Sequence, residues 1–119
     1  MVFKAKAEGY EVTAIFNGVS SEKINDCNFI KEISTKLLKA AGFTVLGFNE
    51  HKFSPQGYTL VVLLAESHFA VHTYPEYSTI YFHLYSCGEK DEKIIFSELK
   101  KMLGPKKAVF KKRIVRVKS

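Results

Sequence analysis

Side chains with chemical potential crowd into one stretch of this 119-residue chain: Glu66, Ser67, His68, His72, Glu76, His83 and Cys87. Three of the four histidines and one of the two cysteines fall there. Several chemistries could use such residues. A Ser-His pair between strands is most simply a turn, and a lone Cys after a strand is ordinary core filler. Cys87 with His72 as base would suit a thiol hydrolase, although nothing in the sequence supplies an oxyanion hole. His68 and His72 share one face of a strand, but a third metal ligand at a characteristic spacing is missing. There is no Gly-rich phosphate loop and no GxSxG elbow.

The elements that must position these residues can be read from periodicity. Glu11 to Asn17 is rich in β-formers and closes on the turn signal Asn17-Gly18. From Asp26 to Ala41 the apolar residues Phe29, Ile30, Ile33, Leu37, Leu38 and Ala41 mark one face of a helix. Asp26 or Asn28 can cap its start, and Gly42 stands where a left-handed C-terminal cap belongs. Strands are expected over 43–48, 58–65, 68–73, 79–85 and 108–117, with 52–57 as a connection. On 79–85, Ile80, Phe82 and Leu84 share one face while Tyr81, His83 and Tyr85 share the other. After a polar loop over 88–92, Ile94, Ile95, Leu99, Met102 and Leu103 mark a second helix that Gly104-Pro105 stops. The order strand-helix-strand-strand, then strand-strand-helix-strand, predicts an α+β two-layer sandwich. In it, a mainly antiparallel sheet carries both helices on one face.

The length suits a single domain. No apolar run approaches a bilayer span, and the N-terminus lacks a secretory h-region, so a cytoplasmic, reduced protein is expected. The net charge of +6 is concentrated: seven basic residues and no acidic one lie from Lys106 onward. The rest of the chain holds 11 basic against 12 acidic residues. That segment reads as a solvated strand face or as an anion contact, and nucleic acid is not the expected partner.

The segments His51-Lys-Phe-Ser-Pro-Gln-Gly57, Leu64-Ala-Glu-Ser-His-Phe-Ala-Val-His-Thr-Tyr-Pro-Glu76 and Tyr85-Ser-Cys-Gly88 together resemble the small prokaryotic S-adenosylmethionine decarboxylases. Those are pyruvoyl-dependent enzymes of spermidine synthesis. The similarity runs from about Asn28 to Gly88 and is densest over Glu66 to Glu76. It implies self-cleavage at Glu66-Ser67 into fragments 1–66 and 67–119, with Ser67 becoming a pyruvoyl group that binds the substrate amine as a Schiff base. It assigns His72 as the processing proton acceptor, Thr59 as a processing support and Cys87 as the proton donor. Phe53 would stack on adenine and Glu76 would accept from ribose hydroxyls. A homodimer with active sites near the subunit interface is also implied, with no metal and no diffusible cofactor.

The chain departs from the family pattern in four places. Glu8-Gly9-Tyr10 stands where Gly-Lys-His or Gly-Arg-His is usual, and Tyr74 replaces a Trp. Ser78 replaces a common Gly. His83, a substrate-binding position, replaces an Asp, which alters charge complementarity to a sulfonium substrate. The alternatives to this reading are an arginine or ornithine decarboxylase on the same scaffold, a small basic RNA-binding module, and an unprocessed paralogue.

Overall fold

The computed structural model describes residues 7–87 and 90–118. Six strands form one antiparallel sheet: β1 (Glu8–Asn17), β2 (Val45–Lys52), β3 (Tyr58–Leu64), β4 (Ser67–Tyr74), β5 (Thr79–Ser86) and β6 (Lys107–Arg116). Their spatial order is β2-β3-β4-β5-β1-β6. Besides a one-turn helix α1 (Ser21–Ile24), the helices are α2 (Cys27–Ala40) and α3 (Glu92–Leu103). Ile30, Ile33, Leu37 and Leu38 of α2 and Ile95, Phe96, Leu99 and Leu103 of α3 join one core. Val12, Ala14, Phe16, Leu60, Val62, Phe69, Val71, Ile80, Phe82 and Leu84 of the sheet complete it. Each fully buried side chain of this size contributes about 1.5–3 kcal/mol. The expected two-layer α+β sandwich is therefore observed.

The helix boundaries follow from capping. Asp26 accepts a hydrogen bond from the Phe29 amide at 3.0 Å. At the far end Phe43 N–H donates to Leu38 C=O and Gly42 N–H to Lys39 C=O. That is the Schellman pattern, and Gly42 takes the positive φ of 97° it requires. This cap explains the largest shift from the sequence expectation. Phe43 is spent on the helix end, so β2 begins at Val45 and runs to Lys52 rather than occupying 43–48. As an edge strand, β2 buries little and shows no apolar alternation to read. α1 was not expected: a single turn that buries only Ile24 has no periodicity. Of the expected loop over 88–92, Gly88 and Glu89 lie outside the described residues, as do residues 1–6.

The other face of the sheet is covered by no element among the described residues. Leu63 and Val61 are 56% and 41% exposed there, beside Thr59, His68, Ala70, His72, Tyr81, His83 and Tyr85. No helix is long and apolar enough to cross a membrane.

Candidate active site

The residues singled out from the sequence gather at the two ends of strands β3–β5, most of them on this uncovered face and Ser67 on the helix side. At the first, β3 and β4 meet in a hairpin whose last pair is Leu64 and Ser67, leaving Ala65-Glu66 as a two-residue turn. Glu66 has φ 64°, a left-handed backbone in which an L side chain is strained. The bond between Glu66 and Ser67 thus leaves a residue held in an unfavourable conformation. Ser67 is 8% exposed, and its Oγ accepts from the Cys87 amide at 3.2 Å. A hydrogen bond to Cys87, with burial, pushes the Tyr85 phenol up. Strand β1 can lie against Tyr85 because position 9 is glycine; a Cβ there would sit 2.7 Å from the Tyr85 hydroxyl.

At the second end, Thr59 Oγ1 and His72 Nδ1 are 3.2 Å apart. They line a cavity of about 300 Å³ with Phe53, Gly57, Tyr74 and Glu76. Phe53 is half exposed at its mouth, its ring 4.5 Å from that of His51. Burial, helped by His83, pushes the His72 imidazole below the ordinary histidine range. It is therefore neutral near pH 7 and able to take a proton. The family's common Gly at position 78 has a local reason: Ser78 ends the 3₁₀ turn Pro75–Tyr77 at φ 52°.

Between the two ends lies His83. Its Nε2 is 3.2 Å from Glu11 Oε2, and its ring is 5.3 Å from that of His68. The hydrogen bond with His83, with Arg113 nearby, holds the Glu11 carboxyl below its usual range. Burial, then His83, pushes His68 down. Glu11 was not singled out from the sequence. Strand alternation puts it on the polar face of β1, but only the register, which sets Glu11 opposite Tyr85, brings it beside His83. The neighbouring strand thus places a carboxylate beside position 83.

The chain brings Ser67 to Cys87, and Thr59 to His72, Phe53 and Glu76, but it does not bring the two groups together. Ser67 and His72 are five residues apart on one strand, about 17 Å. Their side chains also belong to opposite faces: Ser67 alternates with buried Phe69 and Val71, His72 with half-buried His68. Among the described residues no three His, Cys, Asp or Glu side chains converge on a metal position.

Three of the seven basic residues of the tail have acidic partners in the fold. Lys112 pairs with Glu92, Arg113 with Glu11 at 3.3 Å and Arg116 with Glu8 at 3.3 Å.

Comparison with known proteins gives this arrangement a class. The solved adenosylmethionine decarboxylase of Aquifex aeolicus VF5 superposes with a TM-score of 0.77 at 31% identity, covering 94% of this chain and 92% of that one. The fold is that of a decarboxylase, a carboxy-lyase. The family model described as S-adenosylmethionine decarboxylase matches residues 10–116, which adds β1, α3 and β6 to the stretch where resemblance was read. The S-adenosylmethionine decarboxylase proenzyme of Brevibacillus brevis is 41% identical over 98 residues, 82% of this chain and 74% of its own. That of Symbiobacterium thermophilum is 39% identical over 97 residues, 81% and 74%. The chain belongs to the S-adenosylmethionine decarboxylase family.

Proposed function

We propose that this protein decarboxylates S-adenosylmethionine with a pyruvoyl group it makes by cutting itself between Glu66 and Ser67. The observation that carries the reading is the left-handed Glu66 immediately before a serine whose hydroxyl is already in a hydrogen bond with Cys87.

In maturation, Ser67 Oγ attacks the Glu66 carbonyl carbon and the peptide rearranges to an ester. Relief of the Glu66 backbone favours this direction. A hydroxyl such as that of Thr59 is suited to donate to the tetrahedral oxyanion. His72 then removes the proton from Cα of residue 67, and β-elimination expels the Glu66 carboxylate. The dehydroalanine left behind takes up water and releases ammonia, giving fragments 1–66 and 67–119, the second beginning with pyruvoyl.

The residues around Ser67 fit that group, because its α-carbon stays at the strand start beside Cys87. Residue 67, once converted, would supply an electrophilic carbonyl for the substrate amine and an electron sink for the decarboxylation. Cys87, whose amide already reaches the Ser67 hydroxyl, returns a proton to the substrate carbon. Phe53 and Glu76 flank a cavity suited to an adenosine, by stacking and by accepting from ribose hydroxyls. Glu11, oriented by His83, offers negative charge to the sulfonium on the same face.

The separation of Ser67 from His72 supports a homodimer. A two-fold axis lying across the strands, with two uncovered faces packed together, sets the Ser67–Cys87 end of one chain against the Thr59–His72 end of its partner. It also buries the exposed Val61 and Leu63. Two free thiols suit a reduced, cytoplasmic setting. No observation favours the alternatives. The relatives matched carry S-adenosylmethionine decarboxylase names, and Lys112, Arg113 and Arg116 of β6 are paired within the chain. The test is release of labelled carbon dioxide from carboxyl-labelled S-adenosylmethionine, arginine and ornithine by purified protein. Turnover of S-adenosylmethionine alone is expected; turnover of either amino acid instead would overturn the substrate.

A further inference from the structure

On the helix side of the sheet, α3 does not close onto β6. A groove of about 440 Å³ remains between them, within the usual size range of small-molecule sites. Its floor is Val12 and Phe96, both buried, and one wall is Phe110, which is 44% exposed. The Phe110 ring stands 6.0 Å from both Phe16 and Phe96, edge to face with each. An aromatic ring on a core-facing position of a strand, left open to water, lacks the apolar cover its neighbours have.

The rim of the groove is basic. Lys93 and Lys100 stand there one above the other on α3. Among the described residues neither of these two amines has a carboxylate partner, whereas Lys112 of β6 is already taken by Glu92 and lies 4.5 Å over the Tyr10 ring. Apolar floor and uncompensated cationic rim together select one kind of occupant. A neutral apolar molecule would leave the amines unused, and an inorganic anion would leave the Phe96–Phe110 notch empty. A second copy of this chain would bring its own lysines into the same place.

We propose that the α3–β6 groove is a binding site for a small anion with a flat apolar body, an aromatic carboxylate, sulfonate or phosphate. Its rings lie against Phe96 and Phe110, and its charged group is held by Lys93 and Lys100. None of these side chains takes part in maturation or touches the substrate positions, so the site is separate from the reaction.

The probe is 8-anilinonaphthalene-1-sulfonate, followed by fluorescence and by amide chemical shifts on labelled protein. The Ser67→Ala chain serves as well as the matured protein, so the result does not depend on cleavage. Saturable binding is expected, with shifts confined to Val12, residues 92–100 and residues 109–112. Raising the salt to about 0.5 M weakens it severalfold. Lys93→Glu with Lys100→Glu, both on the exposed side of α3, weakens it about tenfold or more while circular dichroism is unchanged. Ser97→Trp, which fills the groove from the helix, abolishes it, and saturating S-adenosylmethionine leaves it untouched. Shifts on β3, β4 or β5 instead, displacement by S-adenosylmethionine, equal binding by the charge-reversed protein, or no binding at all would each overturn the site.

Discussion

Replacing Glu66 with glycine tests whether the turn drives its own cleavage. Glu66 is held at φ 64°, and left-handed backbone costs an L residue roughly 1–2 kcal/mol that glycine does not pay. Cleavage starts from the folded precursor, so the extra freedom of glycine in the unfolded chain drops out of the rate. If the whole strain is released at the transition state, Glu66→Gly slows cleavage about 5- to 30-fold. Global stability moves less, because glycine's unfolded-state entropy of about 0.5–1 kcal/mol offsets part of the relief. The control is Glu66→Ala, which loses the carboxylate but keeps the left-handed cost, and should cleave within about twofold of the parent. Fragment 67–119 is followed over time by gel or mass from freshly purified precursor. A Glu66→Gly chain that matures as fast as the parent, or faster, would refute the role given to strain.

Ser67→Ala and His72→Ala chains should each stay intact alone, but in co-expression the His72→Ala chain is cut, since the partner's His72 reaches its Ser67. Failure of this complementation with mixed dimers present would place the whole site in one chain. The folded protein holds His68 and His72 below the ordinary histidine value, so the unfolded chain binds protons first as pH falls. Chemical denaturation should therefore show stability constant above about pH 6.5 and declining below it, through the depressed folded values. Maturation should likewise hold its rate down past that point before His72 is protonated. Glu11→Gln should raise KM for S-adenosylmethionine about fivefold, as expected for loss of one partly screened charge, with the cleavage rate unchanged.

Much of this was legible before the fold was known, where physics is local. The periodicity of α2, the Asp26 cap, Gly42 and Gly104-Pro105 sit where spacing and turn chemistry put them, whereas α3 forms where expected but leaves Ile94 and Met102 exposed and buries Phe96 instead. β2 was misplaced because its register depends on the cap that uses Phe43, and an edge strand leaves little apolar pattern. The chemistry-bearing residues were findable because they cluster, yet their closeness in sequence misled about space. Ser67 and His72 are five residues apart and face opposite ways along one strand. Glu11 is far from His83 in the chain and beside it in the sheet, a contact made by the β1–β5 pairing that no short-range signal encodes. The groove at α3 and β6 was invisible for the same reason: its rim lysines lie on α3, but Val12 and Phe110 reach it only through the pairing of β1 with β6.

The central claim is tested most directly by the intact mass of the purified protein beside a Ser67→Ala control. The account predicts two fragments, residues 1–66 and 67–119, the second carrying a blocked pyruvoyl terminus, and an uncut control. A chain that remains whole through long warm incubation would contradict it and leave an unprocessed member of the family.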